Sequence, residues 1–171
     1  MKTITPRELF LIIFFILFIL VAYAGAGNAH AEEKPLVFST WEGFEVDKCS
    51  SIWLIKRFID KNAVIKFFPK GEEIKEGIPF DTPDAKLRRY HNMSTFESIL
   101  KHYKLRDRKL LYIGKIIHDI EVNIWERKAL KETLMVQKAV NEIITNSKNN
   151  DKIIDKSLKY FDSLYIKFFR K

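Results

Sequence analysis

Beyond residue 94 the apolar side chains recur every three or four positions through three successive segments, residues 108–119, 126–146 and 151–169. Only helices place such residues on one side. Ala129, Thr133, Val136, Val140 and Ile143 share a face of the long segment, and Ile154, Leu158, Phe161, Tyr165 and Phe168 share one in the last. Upstream the pattern changes. Residues 35–40 and 63–68 ("AVIKFF") are β-branched and aromatic and predict short strands, and residues 86–91 predict a third after a loop rich in Gly and Pro. Asp47 is the expected N-cap of a helix over 47–59, and "STFE" sets Ser94 and Glu97 at capping-box spacing for the next. The expected fold is α+β: a small, mostly buried sheet from the N-terminal half packed against about five α-helices.

Lys2 and Arg7 precede an uncharged apolar run over residues 10–23, which ends in small residues and the triplet Ala29-His30-Ala31. This is the pattern of a signal peptide, residues 1–31, with cleavage after Ala31. Left uncleaved, the run extended through residue 27 approaches the length of a membrane anchor. Either outcome puts the domain over residues 32–171 outside the cytoplasm, in the periplasm or cell envelope. The whole chain carries 30 Lys and Arg against 22 Asp and Glu, a net charge of +8. A basic balance favours anionic partners, and export makes nucleic acid a poor one, leaving small anions and membrane surface. The single Cys49 cannot form an internal disulfide, so a packed core must hold the exported domain together.

The helix over 47–59 stacks Cys49, Trp53 and Arg57 on successive turns, with Lys56 beside Arg57. Two readings stand side by side. In one, Trp53, Leu54 and Phe58 are core and the cations snorkel to solvent, Arg57 pairing with Asp60 or Asp81. In the other, the cations face an anion. The C-terminal run "KYFDSLYIKFFRK" likewise reads as a core face or as a weak membrane-surface contact.

The blocks "VDKCSSIWLIKRFID", "AVIKFF", "IPFD", "STFESILKHYKL", "IIHDIEV" and "YFDSLY" resemble, in order and spacing, the chromate-resistance proteins, specifically the ChrB C-terminal domain and its exported single-domain relatives. The resemblance implies a role in chromate resistance and does not fix a chemistry; transcriptional regulation, known for longer cytoplasmic relatives, is not carried over. Asp47, Trp53, Leu54, Ile55, Arg57, Phe58, Ile59 and Asp60 fall on the opening block, Phe80 and Asp81 on a "PFD" turn, and His118, Asp119 and Glu121 on an acidic segment. Glu126 matches a helix-opening glutamate, and Phe161, Asp162, Leu164 and Tyr165 a late "FDxLY". One block departs: the family pattern "H-x-G-G-x-C" reads "RYHNMS" here, with Arg89 at the expected His and Ser94 at the Cys. His91 stands two positions on and would share the face of Arg89 in a strand.

These matches define the candidate sites. Asp47, Lys48, Arg57, Asp81, Arg89 and His91 are the expected ligand-binding set for chromate or another small anion, because guanidinium and ammonium groups suit a tetrahedral dianion. His118, Asp119, Glu121 and Glu126 offer an imidazole and carboxylates for a possible divalent metal ion; the structural alternative has His118 and Glu126 serving helix ends. Three functions compete: an oxyanion- or metal-binding envelope protein, a metal-dependent envelope enzyme using the His118, Asp119 and Glu121 cluster, and a membrane-surface structural protein. One cysteine cannot run a dithiol cycle, and no glycine-rich nucleotide loop is present.

Overall fold

The β-branched and aromatic stretch Val37–Trp41 forms β1, the central strand of a three-stranded parallel sheet. In the computed structural model the described residues are Arg7, 34–123 and 127–167, and the chain divides into two compact units, Met1–Lys34 and Pro35–Lys171. The expected leader, apart from Arg7, lies outside the described residues, as do Glu126 and Phe168. No helix among the described residues is long and apolar enough to cross a membrane.

Within the second unit, β2 (Val64–Phe68) pairs along the full length of β1, Val37 opposite Val64 and Trp41 opposite Phe68. Between them runs α1 (Val46–Leu54), which continues as a π-helical turn, Ile55–Ile59, closed by the Asp60 N–H donating to the Ile55 carbonyl. The Asp60 carboxylate then accepts from the backbone N–H groups of Leu36 and Asn62, tying the start of β1 to the turn that enters β2.

The third strand is not residues 86–91. It is β3, Ile78–Pro79, on the other edge of β1, and the Phe80 N–H extends the pairing by donating to the Ser39 carbonyl. With that edge taken, residues 86–91 have no strand to join and form a buried-and-exposed loop with two isolated bridges, Phe80 with Leu87 and Tyr90 with Met93. Gly77 permits the approach of β3: its φ is +77°, and a Cβ there would lie 2.6 Å from Ser39 Oγ.

Four more helices follow: α2 (Thr95–His102), α3 (Arg108–Glu121), α4 (Thr133–Thr145) and α5 (Asn150–Lys167). Ser94 and Glu97 form the expected capping box, and Asp107 caps α3 by accepting from Lys109 and Leu110. The long helix begins at Thr133, later than its apolar period predicts, because residues 127–132 turn about the Asp119 carboxylate; Ala129 is accordingly exposed. Among the described residues of the second unit, a small parallel sheet and five helices make an α+β fold.

The core gathers where α1 crosses α5 and α2. Trp53, 1% exposed, meets Phe58, Phe96, Phe161 and Tyr165 at ring-centroid distances of 5.3 to 6.4 Å. Leu54, Ile55, Ile99, Ile113 and Ile116 fill the remainder, each buried side chain contributing roughly 1.5–3 kcal/mol. Of the expected α5 face, Phe161 is buried and Ile154, Leu158 and Tyr165 are partly so, while Ile153 and Leu164, outside that set, are also buried.

Candidate functional site

Asp47 does not cap its own helix. The N-cap position of α1 is Glu45, whose side chain makes no capping bond, and Asp47 lies wholly buried in the first turn. Its carboxylate crosses to α2, where Oδ2 accepts from Thr95 N–H at 2.7 Å and Oδ1 from Phe96 N–H at 2.9 Å. Ser94 Oγ accepts from Glu97 N–H and the Ser94 carbonyl from Ser98 N–H, so all four initial donors of α2 are satisfied.

Around this buried carboxylate a polar cluster assembles from four elements. Arg89, in the loop that replaced the predicted strand, reaches Glu45 at 2.9 Å, Glu121 at the end of α3, and Asp47 at 3.8 Å. The Asp47 N–H donates to Glu121 at 3.3 Å. Asp81 follows Phe80 in a left-handed conformation, φ 53°, which a short polar residue tolerates. That turn aims its carboxylate at Thr95 Oγ1, which donates at 2.7 Å, and at the Lys48 ammonium, 3.6 Å away. Lys48 is 5% exposed and donates to the Trp41 carbonyl at 2.7 Å.

Four carboxyl groups, Glu45, Asp47, Asp81 and Glu121, thus surround two cations. Burial, and then the neighbouring Asp81, push Asp47 up to about 8 against the pull of its two backbone N–H bonds. Burial raises Asp81 despite Lys48 and Thr95, and raises Glu121 despite Arg89. Asp47 therefore holds, at neutral pH, a proton that an isolated carboxylate would have lost. Beside it opens a cavity of about 270 Å³ whose lining includes Trp41, Glu45, Lys48, Lys70 and Asp81. Among the described residues, Lys48 has one hydrogen bond and one longer ion pair, so an ammonium N–H remains for an occupant of this cavity.

The structure thus brings Asp47, Lys48, Asp81 and Arg89 together and leaves Arg57 and His91 out. Arg57 closes on Asp162 of α5, Nε to Oδ1 and a terminal nitrogen to Oδ2, both at 2.9 Å, and Trp53 Nε1 donates to the same Oδ1 at 2.8 Å. Its partner is neither Asp60 nor Asp81, and its guanidinium is half-exposed, so no basic rim joins it to Arg89. The opening block and the late "FDxLY" block meet here as one interhelical clasp. His91 is exposed in the Tyr90–Met93 turn; without a strand, its shared face with Arg89 is lost.

The acidic segment is divided among three partners. His118 Nδ1 lies 2.8 Å from Glu97 Oε2, Glu121 engages Arg89, and Asp119 accepts from Asn123, Ala129, Leu130 and Thr133. Although desolvation opposes it, the Ala129 N–H and the other donors hold Asp119 well below the usual carboxylate range. Among the described residues no group of three or more His, Cys, Asp or Glu is placed to hold a metal ion. Sequence reasoning missed Glu45, Thr95 and Lys70 in the cluster; their only signal is charge or a hydroxyl near elements that the fold juxtaposes.

No curated protein and no solved structure matches the chain. The family model described as ChrB, C-terminal domain matches residues 38–168, which takes in β1 except Val37, the Asp47 and Lys48 cluster, the Arg57 clasp and α1 to α5. The chain belongs to the ChrB C-terminal domain family and shares, at the level of that family, a chromate-resistance-like function.

Proposed function

We propose that this is an exported chromate-resistance-like protein that binds a small tetrahedral oxyanion, chromate in the first instance, in the cavity beside Lys48. The observation that carries the reading is the Lys48 ammonium itself: nearly excluded from solvent, committed to one carbonyl, and bordering the cavity with a donor to spare. A weakly solvated ammonium binds an oxyanion more strongly than an exposed one. Lys70 lines the same cavity and supplies a second positive charge from its outer side.

The surplus of carboxyl groups is compatible with an anion because burial raises three of them, Asp47 to about 8 and Asp81 and Glu121 in the same direction. The carboxyl side of the cluster therefore carries less negative charge toward a dianion that meets the Lys48 ammonium. Binding and protonation then favour each other. An envelope location follows from the leader pattern at residues 1–31.

Equilibrium dialysis against chromate tests the reading. Lys48→Met is expected to abolish binding, and Lys70→Ala, at an exposed position, to weaken it about tenfold while leaving the fold intact. Chromate retained equally by folded wild type and both variants would contradict it.

A further inference from the structure

Much of the chain's positive charge sits at one corner, where α2 turns into α3. Residues 101–115 hold six Lys and Arg against one acidic residue, Asp107, a net +5 within a whole-chain +8. Asp107 is committed to capping α3. Lys101, Lys104, Arg106, Arg108 and Lys115 are all exposed, and among the described residues none of the five forms an ion pair.

The backbone presents these cations around an apolar recess. Helix α2 ends with the Leu105 N–H donating to the Leu100 carbonyl at 3.0 Å and the Lys104 N–H to the Lys101 carbonyl at 3.3 Å, a Schellman motif. Lys104 holds its left-handed position, φ 55°, where glycine is the usual residue and any other L-residue is strained. Gly114 lets α3 close on this turn, since a Cβ there would lie 3.3 Å from Leu100 Cδ1. The resulting recess, about 320 Å³, is lined by Leu100, Leu105 and Leu111 with Lys101, Lys104 and Arg106 around them. Leu111 is 46% exposed, and Arg108 and Lys115, three before and four after it on α3, share its face. Glu97 also borders the recess, but its Oε2 is turned to Ser94 and His118 while its Cγ lies by Gly114.

Exposed cations that no partner aims are poor at gripping one small anion, because each such contact is weak on its own. Against a surface of many mobile negative charges their contributions sum over the whole patch. The exposed Leu111 at its centre distinguishes a lipid bilayer from a soluble polyanion, which offers an apolar side chain nothing to enter. We propose that this corner docks on an anionic lipid bilayer, with Lys101, Lys104, Arg106, Arg108 and Lys115 among the headgroups and Leu111 at the acyl boundary. Its residues are separate from those lining the Lys48 cavity, so the two sites act independently.

Lysine acetylation of the full chain, read by mass spectrometry, tests the proposal on vesicles of phosphatidylglycerol mixed with phosphatidylcholine and on vesicles of phosphatidylcholine alone. Any contact of the apolar run at residues 10–23 is common to both, so the difference between them reads the basic surface. Lys101, Lys104 and Lys115 are expected to react about fivefold more slowly on the anionic vesicles, while Lys138, 80% exposed on α4, reacts alike on both. Replacing Arg106 and Arg108 together by Ser is expected to remove most of that protection. Lys104→Gly suits the left-handed turn, so it is expected to raise the thermal midpoint and still to weaken the protection of Lys101 and Lys115. Equal rates for Lys101, Lys104 and Lys115 on the two vesicles, protection of Lys138 as strong as theirs, or protection that survives loss of both arginines would each overturn the proposal. Protection by heparin, a soluble polyanion, equal to that by the anionic vesicles would also overturn it.

Discussion

The Asp47 carboxylate lies 2.7 Å from the Thr95 backbone nitrogen, although 48 residues separate them. This bond docks the first turn of α1 onto the start of α2, and because Thr95 Oγ1 also holds Asp81, it sets the carboxyl cluster beside Lys48. Replacing Asp47 by Ala is expected to leave two buried N–H groups without acceptors, a loss of about 2–4 kcal/mol. Urea denaturation of the two proteins measures it, and a loss within experimental error would remove Asp47 from this role.

The pH dependence of stability follows from the same residue. Its folded pKa stands at about 8 against 3.8 for an unperturbed aspartate, so between those values the folded state holds a proton that the unfolded state has released. The contribution is full below the lower value and is lost as pH rises toward the upper one; Asp81 and Glu121, also raised, act in the same direction. Denaturation at about pH 5 and about pH 8 is expected to show the protein less stable at the higher value, and Asp47→Asn is expected to reduce that difference. An equal slope in the variant would contradict the assignment.

Arg57 and Asp162 form a clasp whose two halves are unequal. Both side chains are about two-fifths exposed, at 40% and 37%, so solvent screens the ion pair and Arg57→Ala is expected to cost only about 1 kcal/mol. Asp162→Ala also strands the Trp53 indole N–H inside the aromatic cluster and is expected to cost about 2–3 kcal/mol. Thermal denaturation distinguishes the two. Folded Arg57→Ala is further expected to bind chromate as the wild type does; loss of binding without loss of stability would restore Arg57 to the ligand site.

Cys49 is 1% exposed, and burial pushes its thiol up to about 12, overcoming the Ser157 hydroxyl and the Lys48 charge. At neutral pH it holds almost no thiolate, so alkylation of the folded protein is expected to be far slower than that of the urea-unfolded chain. Equal rates would show a thiol that the fold leaves open.

What could be read from the sequence is what local chemistry determines. The capping box at Ser94 and Glu97, the periods of α3 and α5, and β1 and β2 depend on residues close in the chain, and all are present as expected. The third strand failed because pairing is not local: residues 86–91 have strand composition, but residues 78–80 occupy the edge of β1 first. Asp47 misled for a related reason, since its position resembles an N-cap while the donors it serves belong to another helix. Arg57 and Asp162 lie 105 residues apart, and nothing in either motif names the other. His118, Asp119 and Glu121 are close in sequence, yet on a helix they point to three different partners, which proximity along the chain conceals.

The central claim is that an oxyanion enters beside Lys48 together with a proton. Calorimetric titration of chromate at about pH 8, repeated in two buffers of different ionisation enthalpy, measures the protons exchanged on binding. The account predicts net proton uptake as chromate binds, and no binding heat with Lys48→Met. Binding without proton uptake, or an undiminished heat in folded Lys48→Met, would contradict it.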